Sequence, residues 1–173
     1  MSADVAGTTA GPGVRAYIGL GSNLDDPPQQ IRRALAAIAM SPGVRLIAAS
    51  SLYRSPPMGP PEQPEYCNAV CMIDCAIEPA AMLARLLEIE REAGRVRGGE
   101  HWGPRRIDLD LLHVDGVTSA TAGLRLPHPG IARRNFVLVP LAEIAPQLQI
   151  PDVGLVADLA SRLPRDDLSM WPL

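Results

Sequence analysis

The chain has 173 residues and a mass of 18.5 kDa, the length of one ordinary domain, and its 47% hydrophobic residues supply material for a real core. A net charge of −3 argues against a nucleic-acid binder with a uniformly basic surface, and no stretch reaches the roughly 18 apolar residues of a membrane helix. All 16 basic residues are arginine, so phosphate-loop lysines and Schiff-base chemistry are excluded, and a bound anion must be held by Arg, His, backbone N–H groups or metal.

Residues 1–13 lack the charged and apolar regions of a signal peptide and read as a flexible leader. A cytoplasmic protein with a single domain over residues 14–173 is therefore expected. Residues 14–20 form a first strand that stops at the turn signal Gly21-Ser22-Asn23. Pro27 and Pro28 sit where a helix can begin; Ile31, Leu35 and Ile38 follow at helical spacing, and Ser41-Pro42-Gly43 ends the run. Residues 44–53 read as a second strand. Residues 55–64 then carry five prolines in ten positions, a stiff loop in which each proline fixes its own φ and restricts its predecessor.

A third strand is expected over residues 66–77 and a helix from Pro79 to Ala93, ended by Gly94 and carrying Met82, Leu83, Leu86, Leu87, Ile89 and Glu90. A basic, glycine-containing loop covers residues 95–106, and a fourth strand covers 107–114. Beyond Asp115-Gly116 the pattern weakens until Pro127-His128-Pro129 leads into a helix around residues 135–144. The order β-α-β-β-α-β predicts an α+β, ferredoxin-like fold with a mostly antiparallel sheet, helices packed on it and long loops.

Two signals are declined. Gly19-Leu20-Gly21-Ser22-Asn23-Leu24 follows a strand, but Leu24 replaces the third glycine of a dinucleotide fingerprint. A tight turn where backbone approaches something reads better. Cys67, Cys71 and Cys75 are four apart on a strand, so neighbours lie roughly 13 Å apart, too far to share a metal or form a disulfide. They face the core. The opposite face then begins with Tyr66 and Asn68, a ring to stack on a heterocycle and an amide to bond its edge, although a half-exposed polar face would look the same.

The chemistry concentrates further on. Arg95, Arg97, Arg105 and Arg106 lie with His101 in one loop opposed only by Glu100, and guanidinium forks suit phosphate oxygens. Directly after them comes Asp108-Leu109-Asp110, whose carboxylates share one face of a strand about 7 Å apart at the backbone. Two such carboxylates suit Mg²⁺, with waters and substrate phosphates completing its octahedron. An Asp-x-Asp alone is weak evidence; behind an arginine loop in an acidic chain it points to a metal–polyphosphate site. His128, held between two prolines, and Arg134 are further candidates to meet phosphate.

These residues resemble the 6-hydroxymethyl-7,8-dihydropterin pyrophosphokinase family. The blocks YIGLGSNL (17–24), SSLYRSPPMGPPEQPEYCNAV (50–70), GRVRGGEHWGPRRIDLDLL (94–112) and LPHPGIARRNFVLVPLAEIAP (126–146) stand in family order. The resemblance implies transfer of pyrophosphate from ATP to 6-hydroxymethyl-7,8-dihydropterin, with release of AMP, in folate biosynthesis. By position it implies two Mg²⁺ ions on Asp108 and Asp110, with Arg95 and Arg105 stabilising the transferred group. It places Glu90, Arg97, His101, Trp102, Leu111, His128 and Arg134 on the ATP side. It places Ser55, Pro56, Met58, Tyr66, Asn68 and Phe136 around the pterin, with the two rings as a sandwich. A monomer acting on these two substrates, with no nucleic acid or membrane partner, is expected. The chain departs from the family pattern at His101, Arg106, Gly123 and Pro129. Another two-metal phosphoryl or nucleotidyl transferase, or a non-catalytic ferredoxin-like nucleotide-binding module, would share part of these features.

Overall fold

A computed structural model describes residues 13–94 and 104–172. The elements run β1 (Val14–Ser22), α1 (Pro27–Ala39), β2 (Val44–Ala49), β3 (Tyr53–Ser55), β4 (Tyr66–Cys75), α2 (Pro79–Glu92) and β5 (Asp108–Val114). They continue through β6 (Ser119–Thr121), β7 (Leu124–Leu126), a 3₁₀ turn (Ile131–Arg133), α3 (Asn135–Ile144), β8 (Gln149–Ile150), β9 (Gly154–Leu155), α4 (Val156–Arg162) and β10 (Ser169–Met170). The main sheet has the order β10-β3-β4-β1-β5, with β2 also on β4, and its pairings are all antiparallel. This is the expected α+β plan.

Alternation along the strands divides the core into two layers. Cys67, Ala69, Cys71, Ile73 and Cys75 of β4 join Ile18, Leu20, Leu109 and Leu111 beneath Ile31 and Ile38 of α1 and Met82, Leu86 and Ile89 of α2. The three thiols are buried and form no disulfide, and burial pushes Cys67 and Cys71 up to about 12, so they are inert core groups. On the other face, Tyr17, Val70 and Leu112 lie under Val137, Leu138 and Leu141 of α3, with Val156 and Ala160 of α4 behind them.

The strand expected over 44–53 is two strands. Ser50 breaks it: its backbone N–H donates to the Val70 carbonyl at 2.9 Å, while its hydroxyl accepts from Val70 N–H at 3.0 Å. A side chain thus replaces one rung of the ladder, and the backbone restarts as β3. The strand expected over 66–77 ends at Cys75, and β1 runs on to Ser22. A bulge at Leu112 shifts the register between β1 and β5, from Ile18 opposite Leu111 to Tyr17 opposite His113. Leu112 and His113 consequently both serve the α3 layer, where the imidazole stacks on Tyr17 with ring centroids 6.0 Å apart.

Candidate active site

Three strands end together at one edge of the fold. The register sets Asn68 of β4, Gly21 of β1 and Asp108 of β5 in one row, and Val70, Gly19 and Asp110 in the next. Neighbouring strands are about 4.8 Å apart, so the Asn68 amide and the Asp108 carboxylate stand roughly 10 Å from each other across a glycine. A side chain at Gly21 would meet Asn68 Oδ1 at 3.4 Å and the Tyr66 ring at 3.7 Å. The two glycines keep the floor flat. Above them opens a cleft of about 370 Å³, also bordered by Leu83 and Leu87 of α2 and by Phe136 and Val137 of α3.

Each polar group is held by a different segment. Asn68 is buried, and its Nδ2 donates to Ser55 Oγ at 2.8 Å, which fixes the amide. Tyr66 lines the same end, its hydroxyl pKa raised first by burial and then by the Asp108 charge, against the pull of Arg105. Arg105 binds Asp108 Oδ1 at 2.9 Å, and Arg134 Nη1 lies 3.9 Å from Asp110 Oδ2, so the acid pair sits between two guanidinium groups. His128 Nδ1 accepts from Gly130 N–H at 3.1 Å, which leaves Nε2 to carry the ring proton. Burial, then the Arg134 charge, lower its pKa, while Asp108 opposes them.

β5 is an edge strand, and its outer rim is bonded by groups of the site. Leu109 N–H donates to Glu90 Oε1 at 2.7 Å, and His128 N–H donates to the Leu112 carbonyl at 2.8 Å. Glu90 is only 1% exposed, a buried carboxylate that fastens β5 to α2 between the two aspartates. The floor's other fastening is Asn23. Its Oδ1 accepts from Arg105 N–H at 2.8 Å, its N–H donates to the Arg105 carbonyl at 3.1 Å, and its Nδ2 donates to the Pro64 carbonyl at 3.1 Å. One side chain joins the proline loop to the lead-in of β5.

The matching sequence family is 7,8-dihydro-6-hydroxymethylpterin-pyrophosphokinase (HPPK), over residues 17–146. The chain belongs to the HPPK family. It is 41% identical over 158 residues to the 2-amino-4-hydroxy-6-hydroxymethyldihydropteridine pyrophosphokinase of Pseudomonas aeruginosa, covering 91% of this chain and 97% of the relative. Against the enzyme of the same name from Methylorubrum extorquens it is 46% identical over 136 residues, 79% of this chain and 85% of the other. The fold is also that of Plasmodium falciparum wild-type HPPK-DHPS solved with pteroate, at a TM-score of 0.69 and 12% identity over 86% of this chain. The chain spans 42% of that longer protein.

Set against the HPPK expectations, the cleft brings together Ser55, Met58, Tyr66, Asn68, Glu90, Arg105, Asp108, Asp110, His128, Arg134 and Phe136. Pro56 is exposed beside the cleft rather than lining it. Leu111 points into the α1–α2 core layer, because the alternation that turns Asp108 and Asp110 to the cleft turns Leu109 and Leu111 away. Arg95, Arg97, His101 and Trp102 lie outside the described residues. Asn23 and Gly21 went unassigned in the sequence; the turn Gly-Ser-Asn after a strand was the one signal, and it does not reveal which segments the amide joins.

The donor set also bears on the metal. Among the described residues no three His, Cys, Asp or Glu side chains gather into a metal cage. Two carboxylates at an open cleft fit Mg²⁺, which keeps several waters and takes the rest of its shell from phosphates.

Proposed function

We infer that the protein transfers the pyrophosphoryl group of ATP to 6-hydroxymethyl-7,8-dihydropterin in folate biosynthesis, yielding AMP and the pterin diphosphate. The observation that carries this is the Asn68–Gly21–Asp108 row, which sets a buried amide and a carboxylate pair on one flat floor. In this reading the pterin lies between Tyr66 and Phe136 with its edge on Asn68, and its hydroxymethyl arm reaches along Gly21 toward Asp108 and Asp110. Met58 and the backbone at Pro56 close the pocket's outer side.

Asp108 and Asp110 would hold two Mg²⁺ ions, which neutralise phosphate charge and fix the geometry of the triphosphate when bound. The hydroxyl oxygen attacks the β-phosphorus and gives up its proton to water, the bond from that phosphorus to the α–β bridging oxygen breaks, and AMP departs carrying that oxygen. Arg105 neutralises charge on the moving group from the Asp108 side, and Arg95 is assigned the same task. His128, neutral with Nε2–H as donor, and Arg134 hold phosphate oxygens. Glu90 keeps β5 in place on the ATP side; Arg97, His101, Trp102 and the backbone at Leu111 complete that side. No side-chain nucleophile is needed, in keeping with a chain that has no lysine and whose cysteines are buried. The protein is taken to act as a cytoplasmic monomer, with neither nucleic acid nor membrane as a partner. No helix among the described residues is long and apolar enough to cross a membrane.

The test is incubation with ATP, Mg²⁺ and the pterin alcohol. AMP and pterin diphosphate should appear in equal amounts and cease with chelator; ADP in place of AMP would mean single phosphoryl transfer and overturn the reading.

A further inference from the structure

The C-terminal residues lie beyond the matched family region, yet they bind the strand that carries Ser55. β10 pairs antiparallel with β3, Ser169 opposite Arg54 and Met170 opposite Tyr53, and Trp171 N–H donates to the Leu52 carbonyl at 2.8 Å. The Trp171 indole packs against the α1–α2 core layer, and the Arg54 guanidinium lies over it, 4.9 Å from the ring centroid. Arg54 Nε is buried and forms an ion contact, not a hydrogen bond, with Glu65 Oε2 at 3.3 Å. The indole face is therefore a principal partner of that cation.

β3 has three residues and cannot hold itself. On the opposite face Glu143 of α3 grips it, accepting from Tyr53 Oη at 2.6 Å and from Ser51 Oγ at 2.8 Å. Trp171 supplies the grip on the Arg54 side. Arg54 adjoins Ser55, the acceptor that fixes the Asn68 amide, and Glu65 adjoins Tyr66.

We propose that Trp171 is a positioning residue for the pterin end of the cleft: through Arg54 it holds β3 so that Ser55 keeps the Asn68 amide in its recognition geometry. This rests on the reading of Asn68 as the contact to the pterin edge. The carboxylate pair on β5, three strands from β3, does not depend on it.

Steady-state kinetics of the full-length enzyme, with Mg²⁺ and at a temperature where circular dichroism shows each variant folded, tests this. Trp171→Ala should raise KM for the pterin alcohol about fivefold, the scale of one lost cation–π contact, and change kcat and KM for ATP less than about twofold. Trp171→Phe should restore most of the loss, and Arg54→Met should reproduce Trp171→Ala without adding to it in the double variant. If Trp171→Ala does not fold, Trp171→Phe and Arg54→Met carry the comparison. An unchanged pterin KM overturns the proposal. So does a parallel shift of kcat and both KM values, which marks general loosening. Asn68→Ala separates the two readings. If it raises pterin KM while Trp171→Ala does not, only the proposal on Trp171 fails; if Asn68→Ala is itself silent, the assignment of the pterin end fails.

Discussion

The two ends of the central sheet carry the same chemical material in opposite arrangements. At one end Asp74 of β4 is bonded by Arg15 of β1 at 2.9 Å and by Arg45 of β2, on a row of ordinary side chains open to solvent. At the other end Asp108 and Asp110 meet Arg105 and Arg134 above Gly21 and Gly19, inside a cleft. The Arg45 hydrogen bond, followed by the Arg15 charge, holds the Asp74 carboxyl below its usual range, and both its oxygens are engaged. At the cleft the arginines stand to the sides, and the glycines leave room for a third party. The two clusters thus differ in the strand beside the acids, which gives up its side chains between the Asn68 amide and the carboxylate pair at the cleft and keeps them at Asp74.

The comparison breaks most sharply at Asp110. Asp110→Ala should lower kcat by about a thousandfold, the scale of losing a preorganised charge on the reacting group, and leave pterin affinity within about threefold. Single-turnover rates and pterin titration measure the two separately, and equal losses would contradict a metal-side role.

Glu90 comes next. Removing it leaves the Leu109 N–H unpaired in a buried position, so Glu90→Ala should cost about 2 kcal/mol in denaturant unfolding. Glu90→Gln keeps an acceptor and should cost less than half of that. Turnover should fall in both, because β5 carries Asp108 and Asp110.

Asn23→Ala removes the amide that bonds both the proline loop and Arg105, at a cost of about 1 kcal/mol, and should raise KM for both substrates. This distinguishes it from Asp110, whose effect lies in kcat. The pattern would show that the two sides of the cleft are set by one joint.

Acid should act on the histidines before the carboxylates. Burial, joined by Arg134, lowers the His128 pKa below its ordinary 6.5, and burial lowers His113 as well, against the opposing Asp115. The unfolded chain then binds these protons first, so stability is full above about pH 6.5 and declines as pH falls through that value toward the folded pKa. Thermal midpoints across that range should drop less in His128→Gln than in the parent. Protonating His128 in the folded enzyme also removes the acceptor for Gly130 N–H, so kcat/KM should fall only as pH drops through the lowered folded pKa, below the onset of the stability loss.

What could be read from the sequence followed from periodicity. β1, β4 and β5 alternate with a period of two, and α1 and α2 place apolar residues at helical spacing, so the core layers and the shared face of Asp108 and Asp110 were visible. The break at Ser50 was not, since serine is compatible with a strand and only its hydroxyl's bond to Val70 marks the interruption. The joint at Asn23 is invisible for another reason: its partners are 41 and 82 residues away, and nothing local specifies them. β8, β9 and β10 have two residues each, too few for any period. Their place comes from pairing, and for β10 from Trp171 seated on Arg54.

The smallest effect is expected at Asp74, and it tests the contrast between the two ends most directly. Asp74→Asn keeps the shape and the acceptor oxygen but removes the charge shared by Arg15 and Arg45. Both arginines remain solvated, with side chains 37% and 75% exposed, so neither is left buried without a partner. Kinetic constants for both substrates should be unchanged, and the thermal midpoint should move slightly at neutral pH and not at all below the range where Asp74 ionises. A loss of turnover from Asp74→Asn would mean that the ends communicate along β4, and the cleft's independence from its mirror cluster would have to be abandoned.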